Sequence, residues 1–205
     1  MRPRSGYWTP FPGVRCSESY SSHTWGADPD SDNEYLRTKG QAEQLIQLSE
    51  IPSVVVRSTF IYGDPDDIGP SFASYQTEPG GAVSVVGNGS QKVAPIHVDD
   101  LTGLLAAAAL DPSTPTGTFA VSGPNTVALD EFIRRINQGE VTIRHLPSPV
   151  AKLLAWFTPQ LTSALADVLL SDSVTGGNPA ETAARFGVDL HSFTGVMGSP
   201  EGVPS

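Results

Sequence analysis

Tyr35 and Lys39 are the residues whose types and spacing best suit chemistry in this chain. They stand four positions apart in a segment that reads as helix, so their side chains lie one above the other on a single face. A phenol titrates at about 10 and is a poor base at neutral pH, and an ammonium held beside it favours the phenolate. Such a pair can move a proton. Five tyrosines and three lysines supply about 0.07 such pairs by chance, so the spacing is suggestive and does not decide the matter. A solvated Tyr/Lys pair near a helix end is the plainer alternative. The same face carries Ala42, Leu45 and Ile46, with Arg37, Gln41 and Gln44 on the polar side. A lysine on an apolar stripe either reaches out to water or serves a site, because burying an unpaired ammonium is costly.

The helix under this pair is announced by Ser31-Asp32-Asn33-Glu34, which matches a capping box, and it runs to about Ser49. Ser53-Val54-Val55-Val56-Arg57, after Pro52, is the β-branched run of a buried parallel strand. A Gly/Pro/Asp-rich loop follows from Gly63 to Pro70. Ala82 to Val86 and Val93 to Val98 read as two strands separated by the turn residues Gly87-Asn88-Gly89-Ser90. Asp99 stands where an N-cap belongs, ahead of Leu101, Leu104 and Leu105. That capping role accounts for Asp99, and His97 reads as a packed or edge-strand imidazole.

A strand at Thr118 to Ser122 leads into a helix whose Leu129, Phe132, Ile133 and Ile136 make one apolar face. A strand from Val141 to Arg144 comes next. Val150, Leu153, Leu154 and Phe157 repeat the helical pattern before Pro159, and a brief helical piece lies near Ala180 to Phe186. Strands alternating with helices predict an α/β fold. Residues 1–30 are crowded with Pro, Gly, Ser and Trp and predict an irregular segment. Residues 31–190 then form the domain, and residues 191–205 a flexible tail.

Composition narrows the setting. In 205 residues there are 22 acidic and 12 basic side chains, a net charge of −10, which disfavours nucleic acid and anionic lipid as partners. Cys16 is the single cysteine, so no internal disulfide or zinc site is expected, and a reducing cytoplasm fits. The longest apolar run, Leu101 to Leu110, falls short of the roughly twenty residues that span a bilayer. No signal peptide is expected from residues 1–30.

Several stretches together resemble a known family: Ser21-Ser22, then Tyr35-Leu36-Arg37-Thr38-Lys39, Ala42-Glu43, Val54-Val55-Val56-Arg57-Ser58-Thr59-Phe60-Ile61-Tyr62-Gly63, and Pro95-Ile96-His97-Val98-Asp99-Asp100. In order and spacing they are similar to extended or atypical short-chain dehydrogenase/reductases of the NAD-dependent epimerase/dehydratase type. That type includes a branch related to the nucleotide-binding accessory subunit of respiratory complex I. The resemblance implies the C-terminal part of a Rossmann-like parallel sheet with a small α/β lobe on the substrate side. It implies Tyr35 as general acid/base, Lys39 as the cation that lowers its pKa and bonds the nicotinamide ribose, and Ser22 as a partner of the substrate oxygen, with Ser21 the alternative. Ser58, Thr59 and Phe60 match the segment bordering the nicotinamide end of the cofactor.

The glycine-rich turn that would hold the pyrophosphate of NAD or NADP is not among these residues, since Gly6, Gly13 and Gly26 are isolated. Three readings follow. The chain belongs to an oxidoreductase, epimerase or dehydratase and is inactive alone, or it is a non-catalytic nucleotide-binding or assembly protein, or it is a truncated product. Nicotinamide dinucleotide and a small-molecule substrate are the expected partners, with self-association through an exposed sheet edge.

Overall fold

The computed structural model describes residues 26–49, 52–63, 75–147, 149–150 and 163–193. Helix α1 (Glu34–Leu48) precedes strand β1 (Val54–Ser58), which is buried except at Arg57. Five elements follow: β2 (Ile61–Tyr62), β3 (Gly81–Val86), β4 (Lys92–Val93), β5 (Ile96–His97) and α2 (Val98–Leu110). Then come β6 (Gly117–Val121), β7 (Val127–Ala128), α3 (Leu129–Ile136), β8 (Val141–Leu146), α4 (Ser163–Leu169) and α5 (Pro179–Ala184).

Strand β1 runs parallel to β6, in register from Val54 opposite Gly117 to Ser58 opposite Val121. Strands β2 and β5 are parallel, as are β3 and β8, while the short β4 and β7 are antiparallel. The fold is α/β, with open parallel strand pairs flanked by helices, consistent with part of a Rossmann-like architecture. Parallel pairing needs a crossover connection. For β3 and β8 that connection carries both α2 and α3, and for β1 and β6 it carries α2.

The two strands expected around Gly87 to Ser90 do not pair with each other. The first is β3, whose partner is β8. The second is divided into β4 and β5 at Ala94-Pro95, because Pro95 has no N–H to give a ladder, and the Ala94 N–H goes to the Ser173 carbonyl at 2.9 Å. Val98 already belongs to α2. The cap of that helix is His97, whose Nδ1 accepts the Asp99 N–H at 3.2 Å, so Asp99 is a first-turn residue rather than the N-cap. Its charge still suits the positive end of the helix.

Helix α1 begins at Glu34, with Asn33 as its cap: Asn33 Oδ1 accepts from the N–H groups of Tyr35 and Leu36 at 3.0 and 3.2 Å. Ser31, expected to cap, instead accepts the Asn33 N–H through its hydroxyl at 3.2 Å. Helix α3 follows its sequence pattern closely. Leu129, Phe132, Ile133 and Ile136 are all buried, each contributing about 1.5–3 kcal/mol relative to exposure. Its N-cap, Ala128, makes no side-chain cap bond.

The core has two parts. One gathers Phe60, Tyr62, Tyr75, Val85, Phe132 and Phe193 with their neighbours; the other gathers Val54, Val56, Ile96, Leu104, Val121 and Phe186 with theirs. Asn137 pins the segment before β3, accepting the Thr77 N–H at 2.9 Å and donating to the Tyr75 carbonyl at 2.7 Å. Gly123 is required where β6 ends, because a Cβ there would lie 1.8 Å from the Pro95 carbonyl oxygen.

Helix α5 lies where a helical piece was expected, and α4 was not anticipated. The helix expected from Val150 to Phe157 falls almost wholly outside the described residues. His191, Ser192 and Phe193, at the start of the expected tail, are held against the body of the protein. Among the described residues no helix is long and apolar enough to cross a membrane.

Candidate functional site

Tyr35 and Lys39 occupy the first and second turns of α1, both half-buried. The Lys39 Nζ lies 5.9 Å from the centroid of the Tyr35 ring, at the outer reach of a cation–π contact. Among the described residues no carboxylate stands within ion-pair distance of Lys39.

The seating of α1 differs from the sequence expectation. Ala42 and Leu45 face solvent, Leu45 being 69% exposed, and Ile46 is half-buried. The buried residues of the helix are Gly40 and Glu43. Gly40 lets the helix touch the chain before it: a Cβ there would come within 2.2 Å of the Pro29 nitrogen. Glu43 is clamped by Arg57 of β1, whose Nε lies 3.1 and 3.0 Å from the two carboxylate oxygens and whose Nη2 lies 2.6 Å from Oε2. A two-pronged guanidinium–carboxylate contact fixes orientation as well as distance. It sets the rotation of α1 about its axis, and therefore where the Tyr35/Lys39 face points. The far end of the helix cap is tied to α4, with Asn33 Nδ2 donating to the Ala164 carbonyl at 2.9 Å.

Ser58, Thr59 and Phe60 are all buried at the carboxyl end of β1. The Thr59 hydroxyl donates to the Ala94 carbonyl at 2.6 Å, and its N–H donates to the Val121 carbonyl at 3.0 Å. Phe60 stacks on Tyr75, with ring centroids 5.4 Å apart. These side chains join β1 to its neighbours from within. Ser21 and Ser22 lie outside the described residues.

A second polar cluster was missed by sequence reasoning. It stands where the parallel strands β2 and β5 end, at Tyr62 and His97, the side of a parallel sheet on which ligand sites form. Asp100, buried in the first turn of α2, accepts the His191 backbone N–H at 2.8 Å and also bonds the His191 Nδ1. Those contacts raise the His191 pKa above its ordinary value, the bond to Asp100 acting most strongly. The His97 and His191 rings are 5.5 Å apart between centroids. Tyr62 meets His97 edge-on at 5.0 Å, and burial, followed by the Asp100 charge, pushes its phenol up to about 12. Its hydroxyl is buried and has no hydrogen-bond partner among the described residues. The acidic doublet at 99–100 was visible in the sequence; nothing there tied it to a histidine 91 positions later. Among the described residues no group of three or more His, Cys, Asp or Glu side chains is placed to hold a metal ion.

No family model matches the chain. It is 28% identical over 116 residues to the mitochondrial NADH-ubiquinone oxidoreductase 40 kDa subunit of Neurospora crassa, an alignment covering 56% of this chain and 29% of the fungal one. Among solved structures, leucoanthocyanidin reductase from Vitis vinifera in complex with NADPH superposes with a TM-score of 0.56 at 16% identity, over 80% of this chain and 56% of that one. A human epimerase family protein with NADPH gives 0.53 at 20% identity, over 91% and 58%. A nucleoside-diphosphate-sugar epimerase from Staphylococcus aureus gives 0.55 at 14% identity, over 82% and 60%. These likenesses show the fold, and the fungal alignment adds a distant sequence resemblance over part of the chain. The chain spans less than a third of the fungal subunit's length and under two thirds of each of these structures.

Proposed function

We propose that these residues form the carboxyl-side part of a nicotinamide-nucleotide-binding protein of the epimerase/dehydratase type, in which Tyr35 and Lys39 are the proton-handling pair. The observation that carries this reading is the half-buried Lys39 ammonium, 5.9 Å from the Tyr35 ring and without a carboxylate partner among the described residues. A cation so placed fits a ribose hydroxyl, to which it would donate, and it also favours the ionised phenol. The cofactor, when bound, supplies hydride transfer. Tyr35 gives up or takes a proton at its Oη, and Lys39 stabilises the phenolate left behind. Glu43 and Arg57 hold the helix that presents both. Ser22 would meet the substrate oxygen, and the Ser58-Thr59-Phe60 segment would border the nicotinamide, its buried side chains fixing the strand end.

The same reading takes residues 31–190 as the domain and NAD or NADP as the ligand. With no glycine-rich turn among the 205 residues to hold the pyrophosphate, the chain by itself binds the dinucleotide weakly and is inactive. The lone Cys16 supports a reducing, cytoplasmic setting. Exposed Leu45 and Leu48 on α1 support self-association beyond the sheet edge.

Titration of the purified chain with NADH and NADPH, followed by cofactor fluorescence, tests the site. Saturable binding is expected at high cofactor concentration, weakened roughly tenfold or more by Lys39→Met, which removes a charge-assisted bond, and unchanged by Tyr35→Phe. An absence of binding at millimolar cofactor, or equal binding by the Lys39→Met variant, would sink the assignment. A second reading, that of a non-catalytic nucleotide-binding or assembly protein, is favoured by the alignment with the fungal oxidoreductase subunit. Binding that survives Lys39→Met would support that reading instead.

A further inference from the structure

Residues 191–193 join three parts of the molecule that are remote in sequence. His191 is bonded twice to Asp100 at the start of α2, through its backbone N–H and through its ring. Ser192 donates its hydroxyl to Asn125 Oδ1 at 2.6 Å, in the loop between β6 and β7. Phe193 enters the aromatic core, meeting Phe132 at 5.7 Å and Tyr62 at 6.3 Å between ring centroids, and Arg135 lies over its outer side at 5.7 Å. From these contacts we propose that His191 and Asp100 form a proton-operated clasp that seats residues 191–193 on the carboxyl ends of β2 and β5, tight while His191 is charged and loosened when it loses its proton.

The two partners are suited to this unequally. The Asp100 side chain is 1% exposed and fixed by its helix, whereas the His191 side chain is 53% exposed and can exchange its proton with water. Among the described residues, the charged and titratable groups facing His191 are Asp99 and Asp100 from α2 and His97 from β5, with Tyr62 set against Asp100 from β2. His97 is committed to accepting the Asp99 N–H through Nδ1, which leaves Asp100 as the group that responds to the charge of His191. A charged imidazole beside a buried carboxylate makes a bond roughly twice as strong as a neutral one. The neutral ring keeps only a weaker bond, and the backbone N–H becomes the main tie of the segment to α2.

The direction of the response follows from the raised pKa of His191. The charged clasp contributes fully below the ordinary histidine pKa of about 6.5, and its contribution is lost as pH rises through the higher folded value. Amide hydrogen exchange of the whole chain, expressed as protection relative to the intrinsic rate at each pH, reads this directly. Protection at the His191 amide is expected to fall by about tenfold for each unit by which the folded pKa exceeds the free one, while the Ile96 amide, bonded to the Phe60 carbonyl, keeps its protection. His191→Gln, at a mostly exposed side chain, preserves the fold and removes the pH response. A ring titration by NMR adds the second measurement, with the His191 midpoint above the ordinary value. Protection at the His191 amide that does not change with pH, an unshifted His191 midpoint, or the same pH response in His191→Gln would each overturn the proposal.

Discussion

Replacing Arg57 by methionine tests whether the ion pair under α1 holds the helix in place. The Glu43 side chain is 5% exposed and takes all its described hydrogen bonds from Arg57, whose own side chain is 29% exposed. Removing one member of a buried pair costs about 3–5 kcal/mol, because the other charge stays desolvated. Water reaching the Arg57 side places this pair at the lower end, about 3 kcal/mol. That is a large share of the roughly 5–15 kcal/mol that holds a domain together. At about 2–4 °C per kcal/mol for a chain of this size, the melting temperature should fall by about 6–12 °C. The double variant Glu43→Met/Arg57→Met should recover to within about 1–2 kcal/mol of the parent, since two apolar side chains of similar volume need no counter-charge. Urea unfolding followed by circular dichroism, with the midpoints compared at constant m, measures the parent, the two single variants Arg57→Met and Glu43→Met, and the double variant. The reasoning fails if Arg57→Met costs under 1 kcal/mol. It fails equally if the double variant loses the sum of the two single losses, since an additive cycle means that the two side chains do not interact.

Two further substitutions follow from unsatisfied groups. Tyr62→Phe removes a buried hydroxyl that lacks a partner among the described residues, so stability at neutral pH should be unchanged or rise by about 1 kcal/mol. Tyr62 and Tyr75 both have phenols raised to about 12 by burial, so the unfolded chain gives up those protons first and stability falls between about pH 10 and 12. Tyr62→Phe should flatten part of that fall in urea midpoints taken across this range, and an unaltered slope would contradict the assignment. Ala128→Thr supplies the hydroxyl that the N-cap of α3 lacks and should add about 0.5–1 kcal/mol, read as a rise of roughly 1–4 °C in melting temperature. A loss would mean that the pairing of Ala128 with Lys92 cannot admit the larger side chain.

Local features were legible in the sequence and long-range ones were not. The apolar residues of α3 and the valines of β1 carry their periodicity within a few positions, and both elements form where that periodicity lies. Strand partners depend on chain reversal, which leaves no mark within a short window. The turn-like Gly87 to Ser90 therefore marks where β3 ends and carries no sign of its partner, which is β8. The face of α1 was misread for a different reason. Its inward positions are Gly40, chosen for its lack of volume, and Glu43, which is buried because Arg57 meets it, so hydrophobicity pointed the wrong way. Tyr35 and Lys39 were visible as a spacing, whereas the bond between Asp100 and His191 was hidden by 91 residues of intervening chain.

The parallel pairing of β1 with β6 and of β3 with β8 also bears on how the protein comes to be made. In each pair the partners are separated by about sixty residues, and the two intervals overlap, so neither ladder can close until most of the other's connection has been synthesised. At a ribosome adding about 5–20 residues per second, the valines of β1 wait several seconds for Gly117 to Val121 to emerge. During that interval Val54, Val55 and Val56 lack the β6 partner that covers one edge of β1. Nascent chains stalled before residue 117 should therefore recruit holdase chaperones that chains stalled well beyond residue 146 do not.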